Sequence, residues 1–159
     1  MKKLFFLFLL SGAANLTAQV ATTTSIPENS VARKVAPEDV PNLIVKNFND
    51  HVSNITPSWT DNGQNYVASY VDTLNFARIV TYDRNGNLLN IQDEQGRTAY
   101  PAAIERYHDK YYPNEKFTVW LNTDASGNKT YYFTRNTETV WFDPKGSFVQ
   151  KSDNMKVKP

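Results

Sequence analysis

Two histidines, a few adjacent acids and one oxygen-rich turn are the residues of this chain with chemistry to offer. His51 and His108 each lie near the end of an amphipathic segment, where an imidazole ordinarily sits at the surface and interacts with the negative end of the helix dipole. No His-x-x-x-His spacing joins either one to a zinc ligand set. Neither has a Gly-x-Ser-x-Gly element to serve, and the absence of cysteine removes thiol nucleophiles, thiolate metal sites and disulfides. Asp83-Arg84-Asn85-Gly86-Asn87 alternates acidic and amide oxygens in the manner of a calcium loop. An EF-hand loop counted from Asp83 would need Gly at its sixth position and Glu at its twelfth; Leu88 and Glu94 stand there. The Asp-x-x-Gly order fits a hairpin turn instead. Glu38/Asp39 and Asp93/Glu94 are neighbours along the chain, whereas glycosidase chemistry needs carboxylates that face each other across a cleft. These residues imply neither an enzyme nor a resident metal or cofactor.

The aromatic residues, 13% of the chain, carry more information. If Val80, Tyr82, Val140 and Phe142 face the helices, period-two alternation turns Ile79, Thr81, Thr139 and Trp141 to the other side of a sheet. The same parity sends Phe117, Val119, Leu121, Tyr131 and Phe133 inward. It leaves Trp120 and Tyr132 on the open side with Val67 and Val71. An antiparallel sheet with helices on one side can present its other face to solvent, and tryptophan and tyrosine are effective interface anchors. Val67, Val71, Ile79, Trp120, Tyr132 and Trp141 are therefore the candidate partner-binding residues. A covering tail, sheet curvature or a register shifted by one residue would remove that face.

The elements that must position these residues are legible as periodicities. Val40, Leu43, Ile44, Phe48 and Val52 recur at helical spacing, with Glu38 and Asp39 near the positive end of the dipole. Asn62-Gly63 is a tight-turn pair, followed by alternation from Tyr66 to Val71. Phe76 to Tyr82 is a β-branched and aromatic run that ends in the Asp83 turn, and Asn87-Leu88-Leu89 resumes an extended pattern. A second helix carries Pro101, Ile104, Tyr107, His108, Tyr111 and Tyr112. Strands over Phe117–Leu121, Thr130–Arg135 and Glu138–Phe142 follow, with turns at Asp124–Gly127 and Asp143–Gly146. An offset of 60 residues matches Pro41 with Pro101, Ile44 with Ile104, Val80 with Val140, Asp83 with Asp143 and Gly86 with Gly146. The expectation is an α+β fold of two tandem repeats, 37–94 and 95–152, each one helix packed on one face of an antiparallel sheet of about four strands.

Lys2, Lys3 and the apolar run Leu4–Leu10, followed by small residues, have the order of a secretory signal, read here as residues 1–18. The run is too short to span a bilayer, so no integral membrane anchor is expected after cleavage. Residues 19–36, rich in Thr, Ser, Asn and Pro, read as a flexible linker, and 153–159 as a tail. Removing 1–18 takes away two lysines and no acid, moving the formal charge from +1 to −1. A nearly neutral chain without a basic block does not call for nucleic acid or anionic lipid. A periplasmic or secreted location follows, with a protein of the cell envelope as the expected partner. A small-ligand or lipid-binding carrier is the alternative, and it requires an enclosed apolar cavity.

The residues also resemble a known family. A helix opening at Pro37/Pro41, then Trp59, Tyr66-x-Ala68-x-Tyr70 and Tyr82-Asp83-x-x-Gly86, is followed by Tyr100-Pro101-Ala102-Ala103-Ile104, Tyr111-Tyr112-Pro113 and Phe142-Asp143-x-x-Gly146. This order is similar to that of PepSY-like, beta-lactamase-inhibitor-protein-like (BLIP-like) exported domains of Gram-negative envelopes. The resemblance covers about residues 37–150. It implies a helix packed on one face of an antiparallel sheet in each half, and a role in binding or restraining envelope hydrolases. It supplies no catalytic residue. The chain departs from the inhibitor proper in lacking cysteine.

Overall fold

The computed structural model describes residues 32–135 and 138–153. Short runs of alternating apolar and polar residues, separated by turns that bring the chain back on itself, produce strands β1 (Arg33–Val35), β2 (Ser58–Asp61), β3 (Asn65–Val71), β4 (Ala77–Asp83) and β5 (Leu88–Gln95). They are followed by β6 (Val119–Asp124), β7 (Lys129–Arg135), β8 (Glu138–Phe142) and β9 (Phe148–Asp153). Every strand pairs antiparallel with its sequence neighbour, giving one nine-stranded sheet in the order β1 to β9. The first strand lies in the stretch read as linker: Val35 pairs with Trp59 and is buried.

Two ten-residue helices lie on one side of this sheet, α1 (Asn42–His51) between β1 and β2 and α2 (Ala102–Tyr111) between β5 and β6. Each begins just after a proline whose fixed φ suits a helix start. The Pro41 carbonyl accepts the Ile44 N–H at 2.8 Å, and the Pro101 carbonyl accepts that of Ile104 at 3.0 Å. Beyond the helix ends, Asn54 and Asn114 take the left-handed backbone at φ 61° and 71°, a conformation asparagine tolerates better than most residues. α1 lowers Ile44 and Phe48 onto Trp59, Ala68, Val80 and Tyr82, with Phe48 edge-on to Trp59 at 5.6 Å. α2 lowers Ile104 onto Val119, Phe133, Val140 and Phe142. Ile44, Phe48, Ile104, Phe133 and Phe142 are completely shielded from solvent.

The expectation of two tandem helix-on-sheet repeats is overturned. β5 and β6 pair over six residues, Asn90–Gln95 against Asp124–Val119, so the sheet runs unbroken through the position where one unit was to end. The architecture is α+β only in the broad sense: one long antiparallel meander with two short helices. The physical reason lies in the strand edge. An isolated four- or five-stranded unit would leave the backbone donors and acceptors of β5 unpaired, and pairing with β6 satisfies them.

Candidate functional site

All six residues singled out in the sequence, Val67, Val71, Ile79, Trp120, Tyr132 and Trp141, lie on the side of the sheet away from the helices. Its geometry follows from the register. Trp120 is opposite Tyr132, and Tyr132 is opposite Trp141, so three rings on β6, β7 and β8 line up across neighbouring strands. Trp120 lies nearly parallel to Tyr132 with centroids 6.4 Å apart, and Tyr132 and Trp141 are 4.7 Å apart. The flanking indoles leave Tyr132 only 8% exposed, while Trp120 and Trp141 stay half-buried. Burial pushes the Tyr132 hydroxyl up to about 12, because a phenolate there would lose its hydration. Tyr132 thus lies beneath the two tryptophans, and the indoles are the rings of the row that keep some exposure to solvent. The row continues at both ends: Glu94 is opposite Trp120, and Gln150 is opposite Trp141.

The other three candidates fall elsewhere on this face. Val67, Val71 and Ile79 belong to β3 and β4, where Val67 pairs with Thr81 and Ile79 with Ser69. Between them and the aromatic row runs β5, which presents Asn90, Gln92 and Glu94 to the same side. The candidates therefore form an aromatic row and a separate aliphatic patch, divided by a polar strand. Val71 is more than half exposed, at 56%. Glu94 was missed as a site residue because its place beside Trp120 depends on the β5–β6 pairing. A parity count carried through β5 would have put it on the open face, but nothing local gives the pairing itself.

The oxygen-rich turns resolve into backbone chemistry. Asp83 Oδ1 accepts the N–H groups of Asn85 and Asn87, both at 2.8 Å, and Gly86 adopts φ 85°. Asp124 does the same with Ser126 and Asn128, and Asp143 with Lys145 and Ser147. These carboxylates are occupied in shaping turns. Hydrogen bonding to Asn87, Asn128 and Ser147 respectively holds each below the usual carboxylate range. Among the described residues no group of three or more His, Asp or Glu side chains is arranged to hold a metal ion.

His51 is exposed, with Nδ1 2.7 Å from the Asn47 carbonyl. His108 departs from the surface position expected of it. It is 2% exposed and stacks on Phe117 with centroids 3.7 Å apart. Neither ring nitrogen has a hydrogen-bond partner among the described residues; Asp109 Oδ1 is 3.6 Å from Nδ1. A cleft of about 580 Å³ opens beside it, lined by Tyr100, Phe117 and the charged Arg97, Glu105 and Lys116. A second cavity, about 240 Å³, lies under the end of α1 against Tyr70, Val80, Tyr82 and Ile91.

No family model matches the sequence, and no curated protein matches it. Solved structures do share the fold. An inferred periplasmic protein from Bacteroides eggerthii superposes with a TM-score of 0.62 at 14% identity, covering 72% of this chain and 88% of that one. A DUF2874 family protein from Bacteroides ovatus gives 0.59 at 11% identity, covering 71% and 86% respectively. A BLIP-like protein from Bacteroides fragilis gives 0.55 at 16% identity, covering 74% and 88%. The fold is BLIP-like. At these identities the likeness is one of fold alone, and none of the three is described as a PepSY protein.

Proposed function

We propose that this chain is an exported, non-enzymatic protein-binding module of the cell envelope whose partner docks on the open sheet face. The observation that carries the reading is the Trp120–Tyr132–Trp141 row: two partly exposed indoles flanking a buried tyrosine, on a face that no helix among the described residues covers. Large aromatic side chains held rigid before contact lose little entropy on binding, which is why such residues dominate interface energetics. The BLIP-like fold of the Bacteroides fragilis protein supports a protein as the partner, and the resemblance in the sequence points to an envelope hydrolase as its class. The basic start and apolar run of residues 1–18, with the inferred periplasmic neighbour, support export to the periplasm. Among the described residues no helix is long and apolar enough to cross a membrane.

The carrier alternative has less in its favour. The cavity between α1 and the sheet, about 240 Å³, falls below the several hundred Å³ that enclose a drug-sized ligand. The larger cleft beside His108 is open and lined by charge.

The test is affinity capture from envelope extract with the chain from residue 19 onward, compared with the W120A/W141A double variant. A protein retained by the parent chain and lost by the folded variant is the expected result. Equal capture by both, with circular dichroism showing both folded, would remove the open face as the docking surface.

A further inference from the structure

The register sorts the sheet's charges by face. Arg33, Arg78, Lys129, Arg135 and Lys151 all stand on the helix side, each sharing parity with a core residue of its own or a neighbouring strand. Most are already engaged there: Arg78 with Asp72 at 2.9 Å, Arg135 with Glu115 at 2.6 Å and over the Tyr112 ring at 3.8 Å, and Lys151 with Glu138 at 3.8 Å. On the open side Lys34, at the β1 edge, is the one cation among the described strand residues. The acids on that side are Asp83, Glu94 and Asp124. Glu94 ends the aromatic row directly opposite Trp120, its Oε2 accepting the Ala77 N–H at 2.9 Å. Asp83 and Asp124 border the face at its turns, their carboxylates fixed by backbone N–H groups. Around the indoles, the strands contribute uncharged side chains: Gln92, Asn122, Thr134, Thr139 and Gln150.

We propose that the protein docking on this face presents arginine or lysine side chains to the Trp120–Trp141 row. This rests on the reading of the open face as the docking surface and narrows its partner. An indole face attracts a guanidinium or ammonium group through its quadrupole. A carboxylate at the end of the row adds a countercharge, and the near absence of cations on this side removes the repulsion such a partner would otherwise meet. An acidic partner would find the opposite arrangement: three carboxylates on the face and every strand cation but Lys34 turned away from it.

The experiment uses a phage-displayed library of random disulfide-closed peptides, selected on the chain from residue 19 onward and counter-selected on W120A/W141A. Peptides that depend on the two tryptophans are expected to be enriched in arginine and lysine over the input library. Their dissociation constants should rise roughly threefold in E94Q, the scale of one partly exposed ion pair, and rise further between low and high salt. Gln92→Lys places a cation on the face diagonal to Trp120, leaves both tryptophans in the chain and should abolish the same binding, so the proposal stays testable if the double variant fails to fold. Tryptophan-dependent peptides without cation enrichment, or undiminished binding to Q92K, would overturn the basic partner and leave the docking face intact. The absence of any peptide that depends on the tryptophans or on Gln92 would overturn both.

Discussion

His108 and Phe48 fill comparable positions under α2 and α1, four residues after the buried Ile104 and Ile44. The residue type pointed His108 to the surface, and its helical phase pointed it to the core. Phase prevailed because the ring covers Phe117 and Phe133. The consequence is two buried ring nitrogens with no hydrogen-bond partner among the described residues. Replacing a buried polar group whose partners are missing by an apolar group of similar shape is neutral or favourable. H108F, which keeps the stacked ring and removes both nitrogens, should therefore raise stability by about 1 kcal/mol in urea unfolding at neutral pH. A clear loss would show that the imidazole has a partner worth more than its burial costs. The open-face rings were easier to read, since alternation alone separates Trp120 from Val119 and Trp141 from Val140. What alternation does not contain is Tyr132 being covered by its neighbours, a property of three strands at once.

At the scale of elements, the Asp-x-x-Gly turns were legible because every atom that makes them lies within a few residues. Where they dock was not. Gly127 and Gly146 both adopt φ 84°, and a methyl group on Gly127 would meet nothing within 4 Å. On Gly146 it would lie 2.7 Å from Pro101 Cβ and 3.2 Å from Ala103 Cβ, because the β8–β9 turn packs on the start of α2. The two positions share one backbone conformation and differ in what stands over it. G127A should cost about 1 kcal/mol, the penalty for a Cβ in the left-handed region. G146A should cost several kcal/mol, since the turn must also move off α2 or displace it. Denaturant unfolding of the two variants side by side measures the difference, and equal losses would mean that the turn's contact with α2 contributes nothing to stability.

At the scale of the whole molecule, the element types were readable, but the join between β5 and β6 was not. A helix and two loops separate those strands in sequence, and no local pattern announces that Gln95 will face Val119. Strand-edge satisfaction decides it, and that is a demand of the complete sheet. The join also has an energetic consequence. The two apolar clusters, one around Ile44 and Phe48 and the other around Ile104 and Phe133, do not share a buried residue. They could melt separately if the sheet between them were weak. β5 and β6 are instead paired over six residues, so opening one cluster exposes the strand edge on which the other is built. Unfolding is therefore expected to be a single transition. F48A and F133A, each removing a fully buried ring at a cost of about 3–5 kcal/mol, should lower one common midpoint. Far-ultraviolet circular dichroism and tryptophan fluorescence, which samples Trp59 in the first cluster and Trp120 and Trp141 on the open face, should give coincident curves for both variants. If F133A splits the transition so that fluorescence and circular dichroism diverge, the continuous sheet couples the halves too weakly to hold them as one cooperative unit.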